Sequence, residues 1–343
     1  MNIWQKYCKT EKTDKFSAKG SYLLFAVLWF SLVLSIFIAL SLGATKINIT
    51  KAFRALFEGN FTNPDYRILF FVRLPRVIAA VFCGSALSVS GVIIQAVLNN
   101  SMASSNIIGI NSGAGLGVAI VLSLFPALYF FVPVAAFIGA VAACLLIYFI
   151  SYKSSVSKIT LTLTGIAVSS ILNAAISTVK TLFPSSSLNM TTFSVGGFNA
   201  IDFHVLKYAV PVIIIGLFIA IIFSRNIDVL ALGSVSAQSL GMNVKRMRLF
   251  LLLTAGMLSA AAVSFSGLIS FVGLVVPHII RSFTGNRHRL LIGCSIPCGA
   301  LFVLLCDLLS RILFRPYELP VGILLSFIGG PFFIYLILRE RSR

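Results

Sequence analysis

The residues able to do chemistry are few and scattered. Three histidines, His204, His278 and His288, stand far apart and match no metal spacing. Cys294 and Cys298 share a helix face at i, i+4, as a soft-metal pair would, but no further ligand completes the set. A free cysteine packs as a small hydrophobe, and packing is the better reading here. Of the 9 acidic residues only Asp307 falls inside an apolar run, with Glu318 at a boundary. An ion-coupled carrier usually needs intramembrane carboxylates or a sodium site of unwound carbonyls, so that chemistry is thinly provided. No phosphate-binding loop of the Walker type occurs, which excludes ATP hydrolysis by this chain. GAGLGV at 113–118 is a loose dinucleotide fingerprint inside an apolar run, where close helix packing explains it better. One arrangement stands out. In RILFFVRLPRVIAA, residues 67–80, Arg73 and Arg76 flank Pro75 where a helix is expected to begin, yet cations are unfavourable at a helix N-terminus.

The elements that would position these residues are membrane helices. The chain has 343 residues, 58% hydrophobic and 10% charged, with a mean hydropathy of +1.01. A soluble domain carries about a quarter charged residues. Crossing ~30 Å of hydrocarbon takes about 20 apolar residues at ~1.5 Å each. The apolar runs are too long and continuous for barrel strands. Ten spans are read at 22–42, 74–98, 107–124, 128–150, 159–183, 205–224, 247–265, 268–283, 290–313 and 319–338. The first is too long for the apolar part of a signal peptide and is read as retained. Residues 1–21 form a basic cytoplasmic tail, 22–338 the ten-helix domain, and 339–343 a cytoplasmic C-terminal tail. The runs at 107–124 and 268–283 are short, the first Gly-rich and the second with Gly273, which suits burial among other helices, and 184–200 reads as a short helix at the outer face.

The net charge of +18 is better explained by flanking lysines and arginines than by nucleic acid, since no basic stripe interleaved with aromatics occurs. An even number of spans puts both termini on one side. With the basic tail inside, most of the 27 basic residues fall on the cytoplasmic side. Those left outside cluster between Lys46 and Arg76, with Arg311 and Arg315, and an outer face so charged calls for an acidic partner. The cysteines mostly lie in apolar runs and imply no disulfide framework.

Between the sixth and seventh spans runs SRNIDVLALGSVSAQSLGMNVKRMR, residues 224–248. Its middle is too short to cross, and a short helix ended by Gly241 fits it. An interfacial turn and a docking helix for a cytoplasmic motor fit this pattern equally.

The motifs then converge. RLPRVIAAVFCGSALSVSGVIIQAVLNN (73–100), IIGINSGAGLG (107–117), LALGSVSAQSLGMNV (230–244), FSGLISFVGLVVPHIIR (265–281), HRLL (288–291) and ELPVGILLSFIGGPFFIYLILR (318–339) occur in order. The chain thereby resembles the FecCD family, permease subunits of ABC importers for iron–siderophores, haem and cobalamin. The resemblance implies an all-α, ten-helix protomer in a homodimer or heterodimer in the bacterial cytoplasmic membrane. It implies two ATPase subunits below, which use the ATP, and an extracytoplasmic substrate-binding protein above. It implies no directly bound cofactor, and no catalytic or metal residues.

It further implies that 230–243 is the coupling helix, facing the ATPase through Leu230, Gly233, Ser234, Ala237, Leu240 and Gly241. The family often has an acid where Ser234 stands and an arginine where Gln238 stands, so those contacts would rest on shape. Asn100-Ser101-Met102-Ala103 replaces a common Asn-Pro-Leu-Ala. The family's pathway would here be lined by Thr164, Ser169, Asn173, Ser177, Gly196 and Gly197, a mildly polar, uncharged set. Arg73, Arg76 and Arg311 would pair with glutamates of the binding protein. Iron–siderophore is the expected cargo, with haem or cobalamin as alternatives. The alternative of another class is an ion-gradient-driven secondary transporter; a channel would need a charged or carbonyl-lined axis.

Overall fold

The computed structural model of the chain describes residues 18–43, 45, 47–153, 158–199, 201–313 and 317–341, and among these the regular structure is helical throughout. The basic tail expected over 1–21 lies outside the described residues up to residue 17, as do Arg315 and the last two residues of the C-terminal tail. In chain order the helices are α1 (Ala18–Ser41), α2 (Ile49–Phe57), α3 (Leu74–Leu98), α4 (Ile110–Leu124), α5 (Val132–Lys153), α6 (Lys158–Leu182) and α7 (Ser187–Val195). They continue as α8 (Phe203–Ile222), α9 (Ser224–Ala231), α10 (Ser234–Ser239), α11 (Val244–Ser266), α12 (Val272–Thr284), α13 (His288–Ile312) and α14 (Val321–Arg341). Seven stretches are long and apolar enough to cross a membrane, and three shorter apolar helices, Ile110–Leu124, Val272–Thr284 and Val321–Leu336, fall on the remaining runs read from the sequence.

Helix α3 is the axis of the packing. The apolar window within Pro64–Leu98 is 83% buried, whereas that of Thr160–Leu182 is only 11% buried. Around α3 stand α8, α11, α12 and α13; α4 and α5 pair with each other and join through α11, and α1 lies outside on α13. Small residues permit this closeness. A Cβ on Gly91 would strike the carbonyl of Gly273, so α3 and α12 touch backbone to backbone. Such contacts replace the hydrophobic drive that lipid, itself apolar, cannot supply between helices.

The start of α3 corrects the sequence expectation. No helix begins at Pro75. A turn at Pro64–Arg67, capped by the Asn63 side chain, runs through a π-helical segment, Ile68–Arg73, straight into α3. In the π segment the Leu74 N–H reaches back to the Leu69 carbonyl, which carries the chain past a proline that has no N–H to donate. Arg73 and Arg76 therefore lie within a continuous helix, where the positive end of the macrodipole is not at hand.

At the other end of α3 the helix stops in a left-handed Asn99, φ +47°. The Asn100 side chain accepts from Met102 N–H at 2.9 Å. This Asx turn performs the stop that a proline would otherwise make.

Candidate functional site

Three regions gather the residues singled out in the sequence. At one end of the bundle, the C-terminal half of α13 meets the π segment and the start of α14. Asp307 is fully buried. Arg76 donates through Nε to both of its carboxylate oxygens, at 3.0 and 3.2 Å. Arg76 also donates through Nη1 to Glu318 at 2.6 Å. One turn on from Asp307, Arg311 places Nη2 at 2.9 Å from Oδ2, an ion pair whose N–H points off the hydrogen-bonding line. Arg73 donates to the carbonyls of Leu40 and Ser41 at 2.7 Å each, and of Thr45 at 2.5 Å. Those carbonyls close α1, so the cation that looked misplaced at a helix N-terminus caps another helix's C-terminus.

The cluster is internal. Arg73, Arg76 and Arg311 are 3%, 6% and 2% exposed. The sequence expectation of guanidinium groups presented freely to a partner is thus not what this conformation offers: they are held by Asp307, Glu318 and backbone carbonyls. Three arginines against two carboxylates leave one unit of positive charge. The three line a pocket of about 260 Å³ together with Gly43, Thr45, Ile68, Val72 and Glu318. Asp307, the one candidate for ion coupling, is committed to this ion-pair network.

A larger cavity, about 940 Å³, lies between α6, α7, the start of α4 and α14. Ser169, Asn173 and Ser177 line it from successive turns of α6. Ser177 Oγ donates back to the Asn173 carbonyl at 3.0 Å, so its hydroxyl is satisfied within the helix. Ser169 Oγ and Asn111 Oδ1 have no hydrogen-bond partner among the described residues. Thr164, Gly196 and Gly197 are not among the lining residues. The two glycines are a structural turn instead: Gly197 N–H bonds the Ser266 carbonyl at 2.8 Å, and the Gly196 carbonyl accepts from Gly322 at 3.2 Å. The turn thereby ties α7 to the end of α11 and the start of α14. Sequence reasoning missed Lys180, which also lines the cavity. Its position in the last turn of α6 disguised it as an ordinary helix-end cation.

At the opposite end, the segment 230–243 holds the end of α9 and a short helix, α10, of Ser234–Ser239, stopped by Gly241 (φ +81°). Gly241 N–H bonds the Gln238 carbonyl and Met242 N–H the Ala237 carbonyl, the paired bonds of a Schellman stop. Exposure sorts its residues. Leu230 and Ala237 are buried and anchor the segment to the bundle, so they cannot meet a partner directly. Leu240 is exposed, and so are Leu232 (66%) and Val235 (76%), which the sequence reading did not choose. Upstream, Asp228 on α9 accepts the backbone N–H of His288 at 2.8 Å and its Nδ1 at 2.7 Å. This fastens the base of α10 to the first turn of α13, the helix that carries Asp307 and Arg311 at its far end.

The profile of the FecCD transport family matches residues 31–339. The chain belongs to the FecCD transport family. As a FecCD protein it is a transport permease subunit of the ABC type, multi-pass in the membrane, and not an enzyme. It is similar to the Fe(3+) dicitrate transport system permease protein FecD of Escherichia coli (strain K12), 39% identical over 80% of this chain and 86% of that one. It is also similar to the iron(3+)-hydroxamate import system permease protein FhuG of Bacillus subtilis (strain 168), 35% identical over 92% and 97%. The hemin transport system permease protein HmuU of Yersinia pestis is 36% identical over 91% and 95%. A solved metal-chelate type ABC transporter in an inward-facing conformation matches with a TM-score of 0.80 at 26% identity, covering 93% of this chain and 99% of that one.

Proposed function

We propose that this FecCD protein is the membrane-spanning subunit of an ABC importer that carries an iron(III) chelate inward across a bacterial cytoplasmic membrane. The observation that carries the reading is the pairing of a polar cavity between α4, α6, α7 and α14 with an exposed, Gly-stopped helix, α10. The relatives named for iron(III) dicitrate, iron(III) hydroxamate and hemin transport support iron as the cargo. In this reading α1, α3–α6, α8 and α11–α14 are ten spans, both termini are cytoplasmic, and a second permease subunit completes the pathway against the little-buried face of α6.

Two ATPase subunits grip the α10 end, chiefly through Leu232, Val235 and Leu240. Their closure shifts α10, and the Asp228–His288 contact passes the shift to α13. The arginine end receives the substrate-binding protein. Its carboxylates enter the pocket beside Arg73, Arg76 and Arg311 and share the one uncompensated positive charge, with Glu318 as the competing internal acid. Because charge complementarity acts mainly on encounter and register, docking weakens as salt is raised.

Deleting this chain is expected to abolish uptake of radiolabelled iron(III) chelate by iron-starved cells. Restoring it should recover uptake only where the partner ATPase retains its phosphate-loop lysine. Uptake that persists with an inactive ATPase would instead mark a secondary transporter.

A further inference from the structure

The lining of the large cavity holds one charged side chain, and it is a cation. Lys180 stands on α6 three residues after Ser177 and seven after Asn173, so it continues the stripe that those two begin. It is half-buried, and no ion pair among the described residues includes it. Of the described acids, Glu58 pairs with Arg54, Asp228 with His288, and Asp307 and Glu318 belong to the arginine cluster, while Asp65 and Asp202 stand apart from these pairs. None lines the cavity. The rest of the lining carries side-chain amides and hydroxyls, Asn111, Asn173 and Ser169 among them. A cation among polar, uncharged groups in a low-dielectric cleft focuses its field on whatever enters.

We infer that Lys180 is a specificity-determining residue that favours a net-anionic, oxygen-rich iron(III) chelate, such as a carboxylate complex, over a neutral one. The inference rests on the transport reading above and names its substrate class. The ammonium meets the chelate's surplus negative charge as it leaves the binding protein, while the amides and hydroxyls bond its peripheral oxygens. Having only one charge, the lining attracts the chelate without holding it against onward passage. A planar, largely apolar ligand would leave those amide and hydroxyl groups unpaired at a cost. A lysine at a helix C-terminus also complements the helix dipole, but that role requires no cavity and makes no distinction between cargoes.

The test uses the complete importer in proteoliposomes with its binding protein and ATP. Two probes are compared, iron(III) citrate as the anionic chelate and a neutral iron(III) trihydroxamate. The wild type is expected to favour iron(III) citrate. Lys180→Gln should slow initial uptake of iron(III) citrate by about tenfold, the low end of electrostatic steering. Lys180→Arg should keep it near the wild-type rate, and Lys180→Glu should slow it further than Gln does. Binding-protein affinity should stay unchanged in all three. Wild-type uptake of iron(III) citrate by Lys180→Gln would overturn the assignment, as would a wild-type preference for the trihydroxamate. A loss of binding-protein affinity would overturn it too, by moving Lys180 to the docking surface. If the wild type takes up neither chelate, the transport reading fails and this inference fails with it.

Discussion

Asp307→Leu is expected to destabilise the protein by about 3–5 kcal/mol, the range for removing one partner from a buried ion pair. The size follows from what is left behind. Arg76 and Arg311 are both buried against Asp307, and both lose its charge when the carboxylate is gone. Arg76 keeps Glu318, but Arg311 keeps only the carbonyl of residue 307, at 3.3 Å. Thermal unfolding in detergent should show the loss.

A second variant separates stability from function. Replacing the triad together, Arg76→Met with Asp307→Leu and Arg311→Met, takes out the buried carboxylate with both arginines it holds and leaves only the partly exposed Glu318 without its partner; such replacements are often neutral or stabilising. It should unfold near the wild-type temperature while binding-protein affinity falls. If Asp307→Leu alone is harmless, the cluster does not hold this end of the bundle together. If the triple variant docks normally, the arginines have no part in docking.

Gly241→Val is expected to cut uptake by more than about tenfold while leaving insertion into the membrane intact. The argument is conformational. Gly241 sits at φ +81° with nothing within 4 Å of where a Cβ would stand, so side-chain volume is not the obstacle. The left-handed backbone is, at about 1–2 kcal/mol for an ordinary residue and more for a β-branched one. Valine would undo the paired bonds to Gln238 and Ala237 and let α10 rotate away from its anchor. Gly241→Asn, which tolerates this conformation, should retain most uptake. Equal uptake by the valine and asparagine variants would refute the coupling role of this stop. ATP hydrolysis measured in parallel should persist in Gly241→Val without transport.

The fold was legible where local chemistry and packing agree. Runs of apolar residues located the long helices, Gly241 marked the end of α10, and the short run at 268–283, with Gly273, was read as buried among other helices, which its contact with α3 bears out. The start of α3 was not legible, because a proline after a polar turn normally opens a helix, and a π segment leaves no distinctive residue pattern. At the arginine end the sequence showed cations but not their partners. Asp307 is 231 positions from Arg76, and Glu318 is 242. No spacing rule spans such distances, so charges that the fold uses internally looked available. The same limit applied to α10. Exposure of Leu232 and Val235, and burial of Leu230 and Ala237, depend on how the helix is rotated against α9 and α11. Lys180 was hidden because the cavity it lines is assembled from α4, α6, α7 and α14, and α4 and α14 lie far from it in sequence.

The central claim is that partner-driven motion of α10 powers iron(III) chelate uptake through this bundle. Its most direct test is chelate uptake into proteoliposomes that hold the permease, its ATPase subunits and ATP inside, with the binding protein outside. Ionophores are added to collapse every ion gradient. Uptake is predicted to continue at the full rate with the ionophores and to stop when ATP is replaced by a non-hydrolysable analogue. Uptake that stops with the ionophores and persists without ATP hydrolysis would contradict the account.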